Sequence, residues 1–166
     1  MMTASGPEID GAELLPKSPQ SGSAIFIDTN ILLYASFPEL ALADLARARM
    51  NALREDDVSL WTSRQVLREF LAAATRPGTL TASSPLAEIV DSVRTWEKQL
   101  MIAEDDAEVT LHLLALMANP GAQGKQVHDA NIAATTRRYG ISYLLTHNVG
   151  DFARYVPEPT VLPLVS

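Results

Sequence analysis

Cysteine is absent from this chain of 166 residues, and histidine occurs only three times. Without cysteine the protein has no disulfide bonds and no thiolate metal sites, which is typical of a cytoplasmic protein. Three histidines are too few to favour a histidine-dominated zinc site. Any bound metal ion is therefore expected to have oxygen ligands, which Mg²⁺ and Mn²⁺ prefer.

Long apolar runs and excess positive charge are also missing. No run approaches the roughly 20 apolar residues of a membrane span, so no membrane partner is expected, and the N-terminus has no pattern of a secretory signal. The net charge of −7 argues against broad nucleic-acid binding through phosphate neutralisation. It still permits an enzyme that acts on nucleic acid, because divalent ions at a carboxylate cluster reverse the local charge. The same charge would attract a basic protein partner.

The length and the 47% hydrophobic content suit one domain with a single core. Residues 1–23 are rich in Ser, Pro and Gly and predict a disordered leader, so the domain is expected over residues 24–166. Within it, strand-like apolar runs alternate with helical periodicity. This alternation predicts a three-layer α/β/α sandwich with a parallel sheet of four to five strands. The strand order assumed for this sheet is 3-2-1-4-5, which has a topological switch point between the first and fourth strands. The expected strands are 24–28, 58–62, 100–103, 141–146 and 161–165.

Capping and breaking residues predict the helix boundaries. Pro38 suits the first position of a helix, and Asp105 with Glu108 three residues later has the pattern of a capping box. Gly140 suits a left-handed position after a helix, and the segment 119–121 (Asn-Pro-Gly) should break the chain. The expected helices are about 31–35, 38–55, 63–76, 84–100, 105–118 and 126–138.

Asp28 lies where the most apolar predicted strand ends. The run Ile25-Phe26-Ile27 is typical of a buried strand in a parallel sheet. Ligands of open α/β sheets bind at the carboxyl ends of strands, so Asp28, with Thr29 and Asn30 beside it, is a candidate to bind a metal ion or a phosphate. The alternative is that Asp28 only caps the following helix, because Asp is a favoured N-cap residue.

Three further acids extend this candidate site. Glu69 falls at the margin of an apolar helix stripe, with the alternative of a solvated rim charge. Asp129 has the apolar neighbours Ile132 and Ala133, with the alternative of a first-turn acid that complements the helix dipole. Asp151 lies in a polar cluster after the fourth strand, with the alternative of a turn or N-cap residue.

The predicted strand order brings these four acids to one crevice. The first and fourth strands would be neighbours, so Asp28 and Asp151 would meet there, with Glu69 and Asp129 reaching the crevice from helices. Like charges repel one another, and a bound cation stabilises such a cluster. Hard oxygen ligands around a divalent ion that activates water form the apparatus of metal-dependent nucleases.

Four segments, in this order and at this spacing, match a known family. They are Phe26-Ile27-Asp28-Thr29-Asn30-Ile31-Leu32, Leu67-Arg68-Glu69-Phe70, Val127-His128-Asp129-Ala130-Asn131-Ile132-Ala133-Ala134 and Thr146-His147-Asn148-Val149-Gly150-Asp151-Phe152. With them the chain resembles the PIN-domain ribonucleases, and specifically the VapC-type toxins of bacterial toxin–antitoxin pairs. The resemblance covers nearly everything from Ala24 to the C-terminus.

The resemblance implies an endoribonuclease that cuts single-stranded or loop RNA with one or two Mg²⁺ or Mn²⁺ ions. It implies that Asp28, Glu69 and Asp129 are the core catalytic and metal-binding acids, with Asn30 and Thr146 as polar supports. It also implies a homodimer and a cognate antitoxin protein that silences the enzyme.

One position departs from the family pattern. Many relatives carry an acid two residues after Thr146, where this chain has Asn148. Either Asp151 supplies the fourth catalytic and metal-binding carboxylate directly, or it acts through water, with Asn148 in a supporting role.

Basic and apolar side chains predict the contacts with RNA and with the antitoxin. Arg64, Arg68, Arg76 and Arg154 come from segments next to the crevice and are expected to contact RNA phosphates. An arginine of the antitoxin is expected to enter the acid cluster. The apolar part of that contact is expected in a groove lined by Leu42, Leu45, Leu67 and Leu71.

Other functions remain to be weighed against this one. Haloacid-dehalogenase phosphatases also end a first strand on a catalytic Asp, but they need a second Asp where this chain has Asn30. A PIN-like nuclease for structured DNA would need a larger insert than this length allows. The main alternative is a catalytically silent PIN scaffold that binds RNA or protein, which the presence of all four acids disfavours.

Overall fold

The computed structural model of the protein describes residues 18–79, 81, 84–118 and 123–165. No helix in these ranges combines the length and the apolar character needed to cross a membrane. In chain order the elements are β1 (Ala24–Ile27), α1 (Thr29–Ser36), α2 (Ala43–Glu55), β2 (Ser59–Ser63), α3 (Arg64–Ala74), α4 (Leu86–Gln99), β3 (Met101–Ala103), α5 (Ala107–Met117), α6 (Gln126–Arg138), β4 (Tyr143–Thr146), α7 (Val149–Phe152), a 3-10 turn (Ala153–Tyr155) and β5 (Thr160–Pro163).

The strands form one parallel sheet in the order β3-β2-β1-β4-β5, which confirms the predicted order and the α/β sandwich. β1 is the central strand, and its Phe26 pairs with Trp61 of β2 on one side and with Leu144 of β4 on the other. Ile25, Phe26 and Ile27 are fully buried, which explains the continuous apolar run in the sequence. Because the strands are parallel, the carboxyl ends of β1 and β4 lie at the same edge.

The helices pack in two groups. Within the first group α1 contacts α2 and α3, and α3 contacts α4, whereas in the second group α6 contacts both α5 and α7. Phe26, Phe70 and Phe152 are among the largest fully buried side chains of the core. Helix α1 also contacts β4, so it joins the first helix group to the carboxyl edge of the sheet.

Helix α2 starts later than the sequence predicted. It begins at Ala43 and not at Pro38, because the chain first makes two successive turns. In these turns the Leu40 N–H donates to the Phe37 carbonyl, and the Ala43 N–H donates to the Leu40 carbonyl. Phe37 is buried and stacks on Phe70 with 6.0 Å between ring centroids. The packing of Phe37 on Phe70 therefore favours turns over a helix in residues 38–42.

The N-cap of α5 is Asp106, so the capping box predicted at Asp105 is wrong by one residue. Asp106 Oδ1 accepts from the Val109 N–H at 3.0 Å. Asp106 Oδ2 also lies 3.1 Å from Arg138 Nε, which fixes the cap through a contact from α6. At the end of α6, Gly140 has a φ of +63°, which is the predicted left-handed conformation.

Other boundaries differ by smaller amounts. Strand β4 begins two residues after the predicted position 141, and the short helix α7 was not predicted. The predicted break at 119–121 and the leader over residues 1–17 lie outside the described residues. The remaining leader residues include a turn held to the rest of the domain, since the Gly22 N–H donates to the Asp57 carbonyl at 2.9 Å.

Candidate functional site

Asp28 follows the last residue of β1 and is the N-cap of α1. Its side chain is buried, and both carboxylate oxygens accept hydrogen bonds. Oδ1 accepts from the Thr29 N–H at 2.7 Å, and Oδ2 accepts from Asn30 Nδ2 and from the Thr146 hydroxyl, each at 2.6 Å. Asp28 therefore caps the helix, as the alternative interpretation held, and it is also fixed at the carboxyl edge of the sheet.

Burial and hydrogen bonding act on the Asp28 carboxyl in opposite directions. Burial is the largest effect and raises the pKa of Asp28, because it disfavours the charged form. The hydrogen bonds from Thr146, Thr29 and Asn30 lower it, and the charge of Glu69 raises it. The net result is a raised pKa, so the three donors compensate only part of the cost of keeping this charge buried.

Asn30 and Thr146 tie the start of α1 to the loop after β4. Asn30 Nδ2 also donates to the Thr146 hydroxyl oxygen at 3.2 Å, and Asn30 Oδ1 accepts from the His147 N–H at 2.9 Å. The Asn148 N–H donates to the Thr146 hydroxyl oxygen at 3.0 Å. Asn148 therefore takes part through its backbone, and its side chain makes no cap hydrogen bond at the start of α7.

Glu69 is held on both of its carboxylate oxygens, which distinguishes it from a freely solvated rim charge. Oε2 accepts from the Thr29 hydroxyl at 2.9 Å, and Oε1 accepts from Gln65 Nε2 at 2.7 Å. His128 Nδ1 lies 3.3 Å from the same Oε1. Sequence reasoning missed these three partners, although the position of Gln65 four residues before Glu69 on one helix was a usable signal.

Asp129 lies in the first turn of α6 and is half-buried. Its pKa is raised from 3.8 to about 6, first by burial and then by the charges of Asp151, Asp28 and Glu69, while His128 lowers it. Asp151 belongs to α7, directly after the loop that carries Thr146. The structure thus brings the other three predicted acids close enough for their charges to act on Asp129.

The donor set of this acid cluster suits a hard divalent cation. Its ligand atoms are all carboxylate oxygens, and a cation would relieve the mutual repulsion that raises the pKa of Asp129. In the described part of the chain, no three or more acids or histidines are already arranged around one point as metal ligands. The fit is therefore one of ligand type and charge.

The four predicted arginines differ in their surroundings. Arg64 is bound by two carboxylates, with Nη2 at 3.0 Å from Glu104 Oε1 and Nη1 in contact with Glu97. Arg68 is exposed beside the acid cluster and has no ion-pair partner among the described residues. Arg76 is exposed in the turn after α3.

Arg154 follows α7 and reaches the beginning of α6. Its Nη1 donates to Gln126 Oε1 at 3.0 Å, three residues before Asp129. Of the four arginines, Arg64 is therefore the one with a charge already matched by two carboxylates. Arg68 lies on α3, which also carries Glu69, and Arg154 follows α7, which carries Asp151.

Comparison with solved structures identifies similar folds. The chain is similar to VapBC2 from Rickettsia felis bound to a promoter DNA fragment, with a TM-score of 0.63 and 19% identity over 84% of this chain and 98% of that chain. For DNA-bound VapBC from Salmonella typhimurium the TM-score is 0.63 and the identity 18%, covering 86% of this chain and 98% of the other. For VapC20 from Mycobacterium tuberculosis, a toxin that cleaves the sarcin–ricin loop, the TM-score is 0.58 and the identity 16%, covering 72% and 86%.

At these identities the similarity concerns the fold. A sequence comparison with curated proteins gives no significant match. The model of the PIN domain family, however, matches residues 25–156, which include all four acids and most of the sheet. The chain therefore belongs to the PIN domain family.

Proposed function

We propose that the protein is a metal-dependent endoribonuclease and the toxin component of a type II toxin–antitoxin pair. Membership of the PIN domain family and the fold similarity to VapC toxins support a toxin–antitoxin ribonuclease at the family level. The observation that carries the proposal is the convergence of Asp28, Glu69, Asp129 and Asp151. The pKa of Asp129 is raised to about 6, first by burial and then by the charges of the other three acids. Carboxylates whose charges repel one another are suited to binding a cation.

The four acids would hold Mg²⁺ or Mn²⁺. When bound, such an ion lowers the pKa of a water molecule and offsets the negative charge that develops on the phosphate. In the proposed site Asp151 is the fourth acid and Asn148 supports the loop through its backbone. This assignment follows from the effect of the Asp151 charge on Asp129 and from the hydrogen bond between the Asn148 N–H and Thr146.

The residues around the acids would orient them. Asn30 and Thr146 hold one oxygen of Asp28 in place, while Thr29 and Gln65 each hold one oxygen of Glu69. Supports of this kind restrict the rotation of a ligand side chain and keep its oxygens aimed at the ion.

RNA would approach this edge of the sheet despite the net charge of −7. Arg68, Arg76 and Arg154 are proposed to contact it, and they would supply local positive charge. Arg64 is the weakest of the predicted contacts, because Glu97 and Glu104 already bind its guanidinium.

We further propose an antitoxin partner and a homodimer. The fold is also similar to that of a toxin–antitoxin complex from Klebsiella pneumoniae, with a TM-score of 0.59 and 23% identity. An arginine of a basic antitoxin tail would take the place of the cation among the acids. The groove predicted from four leucines needs one correction, because Leu67 is buried in the core. Leu45 is the exposed member, and Leu42 and Leu71 are partly buried.

The test is RNA cleavage by the purified chain with Mg²⁺, with Mn²⁺ and with EDTA, alongside an Asp28→Asn variant prepared identically. We expect cleavage with either metal ion, none with EDTA, and a fall of more than about 100-fold with the variant. Cleavage that persists in EDTA and in the variant would overturn the metal mechanism. Intact RNA under all conditions, together with retained RNA or protein binding, would identify a silent scaffold instead.

A further inference from the structure

A cavity of about 450 Å³ opens beside the acid cluster. Its walls come from α3, α5 and α6, and Glu69 and His128 are shared between the cavity and the cluster. The volume falls within the roughly 300–1,000 Å³ that is typical of sites for small molecules. The proposed cleavage chemistry assigns no role to this space.

One wall of the cavity is apolar. It consists of Ala72 on α3, Leu113 on α5 and Val127 on α6. Ala72 is exposed, Leu113 is partly buried and Val127 is 36% exposed, so this apolar surface is accessible from solvent. The flat ring of a nucleobase can pack against such a wall. Proteins that recognise single-stranded RNA by its sequence commonly bind unstacked bases in this way.

The floor of the cavity is formed by side-chain amides that hydrogen-bond to one another and to neighbouring residues of the protein. Gln65 Nε2 donates to Glu69 Oε1 at 2.7 Å and to the His128 carbonyl at 3.0 Å. Asn131 Nδ2 donates to Gln65 Oε1 at 2.5 Å. Because Gln65 is buried and bonded at both ends of its amide, it forms a fixed surface that connects the cavity directly to Glu69.

Two side chains of opposite charge line the cavity without pairing. Arg68 and Asp105 are both exposed, and neither joins an ion pair with any residue of the described ranges. Arg64, one turn earlier on α3, shows the contrast, because Glu97 and Glu104 bind it. A guanidinium group donates well to O6 and N7 of guanine, and a carboxylate accepts from the N–H groups on the Watson–Crick edge of the same base.

We propose that this cavity is a subsite for one unstacked base of the RNA substrate and that it prefers guanine. The proposal rests on the proposed ribonuclease function, since the base would belong to a nucleotide close to the cleaved bond. Adenine presents an amino donor where guanine presents O6, so Arg68 would face a donor. Cytosine and uracil are smaller and would contact less of the apolar wall.

Binding is tested first, with the metal-free full-length protein and the four neutral nucleosides. Neutral nucleosides are chosen because they carry no phosphate that the acids would repel. We expect guanosine to shift the NMR methyl signals of Leu113 and Val127 and to bind about tenfold more tightly than adenosine, cytidine or uridine. Ala72→Trp, which fills the cavity, should abolish these shifts. Ala52→Trp, at an exposed alanine of α2, is the matched control and should retain them.

Cleavage is tested next, on a pool of single-stranded RNA with randomised sequence in the presence of Mg²⁺. The wild type and Ala52→Trp should enrich guanine at one fixed position relative to the cut. Arg68→Gln, Asp105→Asn and Ala72→Trp should each reduce that enrichment about tenfold.

The outcomes separate the subsite from the ribonuclease. Cleavage without base preference and without guanosine-dependent shifts would overturn the subsite and leave the ribonuclease standing. Guanosine binding without cleavage of any RNA would overturn the ribonuclease and, with it, the substrate role of the cavity, and would leave a guanine-binding site. Preference for another base, or equal shifts with all four nucleosides, would overturn the assignment of guanine.

Discussion

Asp28 and Asp129 contribute to the same acid cluster, but the protein surrounds them differently. Asp28 is 6% exposed, and neutral donors from Thr29, Asn30 and Thr146 hold its two oxygens. Burial is the largest effect and raises the pKa of Asp28, and these donors offset part of that rise. The geometry of this carboxylate is therefore set before any cation binds.

Asp129 is half-buried, and its neighbours add to the effect of burial. The charges of Asp151, Asp28 and Glu69 all raise its pKa, which reaches about 6. Its charge is therefore costly until a cation enters the cluster. If the proposed site binds a cation, the two acids would therefore have different tasks. Asp28 would provide a fixed ligand, and Asp129 would make the affinity for the cation sensitive to pH.

The largest effect is expected from Asp28→Asn. Asn and Asp are equally good N-caps, so the start of α1 should survive while a charged ligand is lost. We expect RNA cleavage to fall by more than about 100-fold, with a melting temperature equal to that of the wild type or higher.

The control for this change is Asp91→Asn on α4, where the acid is exposed and Arg94 is its one ion-pair partner within the described ranges. It should leave cleavage unchanged. A variant of Asp28 that unfolds would indicate that helix capping is the main task of this residue, and one that cleaves at the wild-type rate would remove it from the site.

A smaller loss is expected from Thr146→Val, which keeps the shape and removes the hydroxyl. Asp28 then loses one of its three donors, and the Asn148 N–H loses its acceptor. Loss of an orienting contact to a ligand typically lowers metal affinity or activity by about 10–100-fold. Cleavage rates at increasing Mg²⁺ concentration measure the loss of metal affinity and of activity. Thr146→Ser, which retains a hydroxyl, should keep most of the activity. Equal defects in both variants would contradict an orienting role.

The pH dependence tests the other half of the comparison. The pKa of Asp129 is raised from 3.8 to about 6 in the folded protein, so the native state binds more protons than the unfolded state between these values. In EDTA, stability should therefore fall as pH rises from about 4 to 6. Binding of Mg²⁺ should strengthen over the same rise, because the ligand must lose its proton.

Thermal unfolding in EDTA at several pH values measures this slope. Asp129→Asn should reduce the dependence of the melting temperature on pH. Part of this dependence should remain, because the pKa of Asp28 is also raised. An unchanged slope in the variant would show that Asp129 does not titrate in this range.

The smallest effect is expected among the arginines. Neutralising Arg76, which is exposed, should reduce the slope of log affinity for RNA against log salt concentration by about 1. Arg64→Gln should change it less, because Glu97 and Glu104 already compensate that charge. RNA binding measured over a series of salt concentrations distinguishes the two variants. A larger change in slope for the Arg64 variant than for the Arg76 variant would contradict this prediction.

Elements with a strong local signal were predictable from the sequence. The central strand was recognisable because Ile25-Phe26-Ile27 is continuously apolar, and the structure buries all three residues. The parallel sheet followed from the alternation of strands and helices, and the assumed strand order is the observed one. Local signals failed where a tertiary contact competed with them. Asp106 and not Asp105 caps α5, in a position also fixed by Arg138 on a different helix.

The sequence by itself determined the parallel sheet and its carboxyl edge, because apolar periodicity and chain order give alternating strands and helices, and the carboxyl ends of parallel strands lie at one edge. Only the tertiary structure decided how each acid is held. The hydroxyl that orients Asp28 comes from Thr146, 118 residues away, and Glu69 is held by Thr29, 40 residues away. Only the fold decided that Arg64 is bound by carboxylates while Arg68 faces an open cavity. Such partners depend on the packing of side chains between elements that are distant in the chain, and no local pattern records that packing.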